Sequence, residues 1–137
     1  MRRALAFAAL LAMTAVGSAS ATTWASYADI GGGRQWFYDT DYSYKDKASG
    51  RVVVMQAIGV PEKKVGPNGP GAADGVGSLV ALDCKAKNQI SIASYAPSKP
   101  LVELAGWRTA TPKKISLDED RKLLAAACAN VDSLPVK

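Results

Sequence analysis

The two cysteines of the chain lie in segments of different pattern, and the fold has to bring these segments together. Cys84 closes a strand-like run, and Cys128 lies near the end of a helical segment, residues 116–130. That segment is rich in Leu and Ala, which favour helix, and its first turn is acidic, which suits the positive end of the helix dipole. Because side chains alternate along a strand, Cys84 shares a face with Val80 and Leu82. A helix packed across that face would place Cys128 within reach of Cys84.

The helical segment also carries a start signal and an apolar stripe. Ser116 followed by Glu119 has the spacing of a capping box, in which each side chain bonds the backbone amide of the other residue. Residues at helical spacing form one stripe, which consists of Leu117, Leu124, Cys128 and Val131. The pattern predicts a helix that begins at Ser116 and buries this stripe.

The first 21 residues have the parts of a secretory signal peptide. Arg2 and Arg3 give a basic start, an apolar run covers 4–16, and Ala19 and Ala21 make a small-x-small cleavage site. A membrane-spanning helix needs about 20 apolar residues, which is longer than this run. No cysteine follows the cleavage point to take a lipid. We therefore expect a cleaved leader, residues 1–21, no membrane anchor, and one periplasmic or secreted domain, residues 22–137.

Two cysteines in an oxidising compartment predict one disulfide, Cys84–Cys128. The bridge would close a loop of about 45 residues and stabilise the fold by up to about 4 kcal/mol in the chain-entropy treatment. Thiol catalysis is the alternative, but the chain has no histidine to act as its base. The lack of histidine also excludes Ser-His-Asp chemistry and histidine-bound metals. We therefore expect no enzymatic activity and no cofactor.

The charge of the mature chain is mild. Without Arg2 and Arg3, 15 of the 17 basic residues remain, against 12 acidic residues. The formal net charge therefore falls from +5 to +3. The lysine pairs are scattered, which is typical of a solvated surface. Because no basic stripe is present, we expect no nucleic-acid partner.

The first half of the mature chain has the pattern of antiparallel strands. Two strand-like runs, 23–29 and 34–39, flank the glycines at 31–33 and predict a hairpin. A phosphate-binding loop would need a Lys-Ser or Lys-Thr pair after these glycines, and none follows. The run 51–58 is apolar on nearly both faces, which is typical of a central strand.

The second half adds further strands and one long loop. A four-residue turn joins the runs 76–84 and 89–95, and a short strand is expected around Trp107. The Gly- and Pro-rich stretch 59–75 predicts a mobile loop. The fold class is therefore α+β, with a five- or six-stranded antiparallel sheet and one C-terminal helix packed across it.

The sequence Asp39-x-Asp41-x-Ser43 begins like a calcium-binding loop. Such a loop needs glycine at its sixth place and glutamate at its twelfth, where this chain has Tyr44 and Gly50. Aspartates in turns explain the pattern better, and we expect no metal site.

Residues 36–44 are unusually aromatic. Half of these side chains should enter the core by alternation, and the others would be exposed, where aromatic residues favour protein contact. With a helix on one face of the sheet, the other face and the edges would supply the contact surface. The candidate protein-binding residues are Trp36, Tyr38, Tyr42 and Tyr44.

The landmarks of the mature chain are Trp24 just past the leader, Phe37-Tyr38-Asp39, the valine-rich strand, the Gly/Pro loop, Asp83-Cys84, Tyr95 at the end of the next strand, Trp107, and Ala127-Cys128 in the capped helix. In this order they resemble the surface-adhesin protein E-like family of small secreted bacterial proteins. The resemblance implies a six-stranded antiparallel sheet, a C-terminal helix on its concave face, and the same Cys84–Cys128 bridge. It also implies a homodimer and binding of extracellular-matrix and plasma proteins, as for the namesake.

The function expected from these observations is that of a secreted envelope binding module, adhesin-like, which contacts a protein partner of the envelope or extracellular matrix. The alternative is a periplasmic inhibitor or accessory protein of an envelope enzyme, which would use its long loop.

Overall fold

The computed structural model describes residues 24–60, 77–95 and 102–137. The leader expected at 1–21 and most of the loop expected at 59–75 lie outside the described residues.

Within these ranges seven strands form one antiparallel sheet, which confirms the α+β class. The strands are β1 (Trp24–Gly31), β2 (Arg34–Asp39), β3 (Tyr44–Lys45), β4 (Val52–Gly59), β5 (Gly77–Asp83), β6 (Asn88–Tyr95) and β7 (Lys113–Lys114). Their order is β1-β2-β4-β5-β6-β7, and β3 pairs with the start of β4. The count exceeds the expected five or six because β3 and β7 have only two residues each, too few to show an alternating pattern.

The predicted hairpin of β1 and β2 is confirmed, and its glycines explain the turn. The φ angles of Gly32 and Gly33 are 63° and 76°. Two positive φ values in a two-residue turn match the right-handed twist of the flanking strands, and glycine adopts them without a steric penalty. The glycine run is therefore a turn.

The strand β4 lies inside the sheet and has buried side chains on both faces, as its apolar pattern predicts. On one face, which we call the Trp107 face, the core consists of Phe37, Val53, Met55, Ala57, Leu79, Ala81, Ile90, Ile92 and Trp107. On the other face, which we call the helix face, it consists of Val52, Val54, Val80, Leu82, Ile115, Leu123 and Ala127. Alternation along β4 therefore divides its side chains between two apolar cores.

The C-terminal helix α1 (Asp118–Cys128) begins later than the capping box predicts. Its N-cap is Leu117, which makes no side-chain capping bond, so the predicted box of Ser116 and Glu119 is wrong. The reason lies in Ile115, which is buried and whose amide donates to the carbonyl of Lys87 at 3.1 Å. This contact keeps the chain extended up to Leu117. No helix in the described ranges is long and apolar enough to cross a membrane.

The buried face of α1 is also shifted from the predicted stripe. Leu123 and Ala127, one helical turn apart, are the buried residues of α1. Leu124 and Val131 pack against the same core as expected, but Leu117 is 56% exposed. Because Leu117 precedes the helix, helical spacing does not place it on the buried face.

The segment before β7 contains a turn of 3-10 helix, Trp107–Thr109, where a short strand was expected. Trp107 is only 4% exposed and packs into the core of the Trp107 face. The amide of Leu104 donates to the carbonyl of Ile92 at 2.7 Å, which ties the segment to β6. The face opposite the helix is therefore partly covered, and the expectation that it supplies the contact surface is wrong where Trp107 packs.

Candidate functional site

The predicted disulfide is confirmed. Cys84 follows the end of β5, Cys128 ends α1, and their sulfur atoms are bonded with a Cα–Cα distance of 5.9 Å. Cys84 packs against the helix-face core with Val80 and Leu82, as alternation along the strand predicts. The bridge joins the last residue of the helix to the sheet.

The four aromatic residues predicted to bind a partner do not lie together. Tyr42 and Tyr44 pack against the core of the Trp107 face. Tyr38 packs against the helix-face core, and Trp36 stacks on Tyr27, which packs there too. The prediction of one aromatic stretch is therefore corrected to two half-buried pairs on opposite faces of the sheet.

Between the two pairs the chain makes a turn that begins at Asp39, the last residue of β2, and β3 then runs alongside β4 in the same direction as β2. One carboxylate oxygen of Asp39 accepts the amides of Asp41 and Tyr42 at 3.0 and 3.1 Å. The hydroxyl of Ser43 donates to the carbonyl of Asp39 at 2.9 Å. Burial raises the pKa of Asp39, although the two amides act in the opposite direction. The aspartates that resemble the start of a calcium loop thus form a turn.

Tyr27, Trp36 and Tyr38 form a cluster that we call the helix-side aromatics. The ring centroids of Tyr27 and Trp36 are 6.4 Å apart with an interplanar angle of 24°, and those of Tyr27 and Tyr38 are 6.1 Å apart. These distances are typical of favourable aromatic pairs. Trp36 and Tyr38 alternate along β2 and so point to one face, whereas Tyr27 comes from β1.

A chain of hydrogen bonds fixes the central ring of this cluster. The hydroxyl of Tyr27 donates to Oε1 of Gln56 at 2.9 Å, and Nε2 of Gln56 donates to Oγ of Ser78 at 2.7 Å. Gln56 is buried, so these partners satisfy polar atoms that would otherwise be costly. Burial raises the pKa of Tyr27 well above its usual range.

Carboxylates border the helix-side aromatics. The charges of Asp120 and Glu119 contribute, after burial, to the raised pKa of Tyr27. Asp120 accepts a hydrogen bond from Nε2 of Gln89 at 3.0 Å, and burial raises the pKa of its carboxyl. The first turn of α1 therefore places negative charge beside the aromatic cluster.

The second aromatic pair is held by structural contacts. Tyr42 and Tyr44 meet edge to face with ring centroids 6.0 Å apart, and Nζ of Lys137 lies 5.1 Å from the ring centroid of Tyr44. Burial raises the pKa of Tyr42 to about 12. Both rings are half-buried, and together they extend the core of the Trp107 face.

Beside this pair lies a buried carboxylate that the sequence does not reveal. Asp46 accepts from Nε and Nη2 of Arg108 at 2.9 and 2.6 Å, and from the amide and hydroxyl of Ser49 at 2.9 and 2.6 Å. The guanidinium lies 4.5 Å from the ring centroid of Trp107. These donors, Arg108 first, hold the pKa of Asp46 well below its usual range although burial opposes them. The ion pair of Asp46 and Arg108 has a structural role, since it joins the Trp107 turn to the connection between β3 and β4.

The part of the chain that the structure describes contains no group of three or more His, Cys, Asp or Glu residues able to hold a metal ion. No protein-family model, curated protein or solved structure matches this chain. The surface-adhesin family and its activity therefore stay a prediction from the sequence.

Proposed function

We propose that this protein is a secreted, adhesin-like binding module of the bacterial envelope and that it contacts a protein partner through the helix-side aromatics. The observation that carries the proposal is the half-buried stack of Tyr27 and Trp36 beside Tyr38, on the end strand β1 and its neighbour β2. Aromatic side chains that are both anchored and partly open are typical of the energetic centre of protein interfaces.

The cluster is held in place before any partner arrives. Tyr27 is fixed by its hydrogen bond to Gln56, and Trp36 lies against the Tyr27 ring. A rigid aromatic platform loses little conformational entropy on binding, which favours affinity. The order of landmarks that resembles the adhesin family agrees with this proposal and suggests a homodimer.

The charges around the platform indicate the chemistry of the partner. Glu119 and Asp120 lie near Tyr27, and Asp29 lies near Lys122 on the same side of the molecule. A partner segment that carries Lys or Arg could stack a cation on Trp36 and pair with these carboxylates. We propose a basic surface segment of an envelope or extracellular-matrix protein.

Trp36→Ala is expected to weaken binding by about thirtyfold, which corresponds to 2 kcal/mol for an interface anchor. The partner is first captured from envelope or matrix extract with the purified protein, and affinities are then measured by surface plasmon resonance. The matched control is Tyr42→Ala, which removes an aromatic ring from the opposite face and should leave the affinity within about twofold.

Both variants are compared with the parent at temperatures well below their melting points. Equal affinity of parent and Trp36→Ala would reject the helix-side aromatics as the contact surface. Capture of an envelope enzyme whose activity falls on binding would instead favour the inhibitor or accessory function.

A further inference from the structure

An open groove of about 420 Å³ lies beside the disulfide, between α1 and the β5–β6 turn. Its lining residues are Cys84, Lys87, Ile115, Arg121, Leu124, Ala125 and Cys128. Sites that hold small molecules commonly have volumes of about 300–1,000 Å³, so the groove has room for a small organic ligand.

The lining divides into an apolar part and two cations. Ile115 is buried, Leu124 packs against the helix-face core, and the disulfide adds further apolar surface. Lys87 and Arg121 supply positive charge, and among the described residues no carboxylate lines the groove. An apolar surface bordered by cations complements an organic anion with an apolar body.

The backbone of Lys87 is fixed at this position. Its amide donates to the carbonyl of Asp83 at 2.9 Å, and its carbonyl accepts the amide of Ile115 at 3.1 Å. Its φ of 54° is a conformation that side-chain-bearing residues rarely adopt. Such strain is often kept where a side chain has a function.

Two carboxylates close in sequence to the lining residues already have partners. Asp83 accepts the amides of Lys85 and Ala86 at 3.0 and 2.9 Å. Asp118 pairs with Nζ of Lys122 at 2.9 Å. Neither carboxylate lines the groove, and the two charged side chains that do line it are both cations.

We propose that this groove binds a medium-chain fatty carboxylate. Arg121 and Lys87 pair with the carboxylate, and the acyl chain lies on Ile115, Leu124 and the disulfide. A peptide is a poorer fit, because its backbone amides need hydrogen-bond partners that an apolar floor does not supply. The site is separate from the helix-side aromatics, so its occupancy does not depend on the proposed protein contact.

Isothermal titration calorimetry of the purified protein with sodium decanoate, below its micelle concentration, tests the site. We expect saturable binding with one decanoate per chain. Arg121→Met and Lys87→Met keep an apolar stem but remove one charge, and each should weaken binding about tenfold, the value of one charge-assisted hydrogen bond. The neutral alcohol decanol lacks the carboxylate that pairs with both cations, so it should bind more weakly than decanoate by more than about tenfold, and acetate should show no binding.

Lys85→Met is the matched control, because it removes one lysine from the same turn but outside the groove lining. It should bind decanoate like the parent. An equal loss in Lys85→Met and Lys87→Met would overturn the site, as would uptake that does not saturate. Lack of any decanoate binding by the parent would overturn the proposal as well. Arg121→Met, on the surface of α1, keeps the test decisive if the Lys87 turn tolerates no change.

Discussion

Asp46→Ala is expected to lower the free energy of unfolding by about 3 kcal/mol, because it removes a buried carboxylate that satisfies several donors at once. The side chain of Asp46 is 3% exposed and accepts from both Arg108 and Ser49. Its partner Arg108 has a side chain 48% exposed, so the pair lies just below the surface. We therefore expect the free energy of unfolding to fall by an amount at the lower end of the range found when a fully buried ion pair is broken.

Urea unfolding followed by circular dichroism measures this loss. Asp132→Ala is the matched control, because Asp132 is exposed in the 3-10 helix Val131–Ser133. A change at such a site should stay within about 0.5 kcal/mol of the parent. Equal stabilities of Asp46→Ala and Asp132→Ala would show that the Arg108–Asp46 contact stabilises nothing.

The contribution of Asp46 should also depend on pH. Its pKa is lowered in the fold, so the charge stabilises the protein fully above the unfolded value of about 3.9 and less as pH falls toward the folded pKa. Burial raises the pKa of Asp39 and Asp120, and these groups act in the opposite direction as pH falls. The difference in stability between the parent and Asp46→Asn isolates the one group. It should be constant above about pH 5 and shrink below about pH 4.

The Asp46–Arg108 contact also shows why part of the structure could not be predicted from the sequence. The two residues are 62 positions apart, and each one taken alone has the pattern of a solvated surface charge. Only the tertiary position of the Trp107 turn brings them together. By contrast, the two faces of β4 follow from a local period of two within the apolar run 51–58, and this period places Val52 and Val53 on opposite faces of the sheet.

The helix-side aromatics could be predicted only in part, because some of their positions follow from the local period of two and others depend on how the strands pair. Trp36 and Tyr38 share a face because they alternate within β2, and the sequence shows this directly. Tyr27 joins them from β1, where the pairing shifts register between Ser26 and Ala28. A bulge of this kind changes which side chains share a face, and no residue pattern marks it here. The site therefore needed the structure, although two of its three rings were among the predicted residues.

Removal of the bridge, as Cys84→Ala with Cys128→Ala, is expected to lower the free energy of unfolding by about 4 kcal/mol. The disulfide spans a sequence separation of 44, so it restricts a long loop of the unfolded chain. Small domains have a total stability of about 5–15 kcal/mol, so this is a large fraction. The measurement is urea unfolding with and without a phosphine reductant. The reductant should lower the free energy of unfolding of the parent to that of the variant and should leave the value of the variant unchanged. Two titratable thiols in the parent, denatured without reductant, would contradict the prediction.

The part of the chain that becomes less stable when the disulfide is removed shows how the disulfide acts. The helix α1 has 11 residues, and isolated helices below about 12–15 residues are marginal in water. With the bridge removed, the end of α1 near Cys128 loses its covalent tie to the sheet and keeps the apolar contacts of Ala127, Leu124 and Val131. Hydrogen exchange should therefore accelerate more at the amides of residues 124–128 than at those of β4. Equal acceleration in both places would mean that the bridge acts only on the unfolded chain and that α1 is held by its apolar face alone.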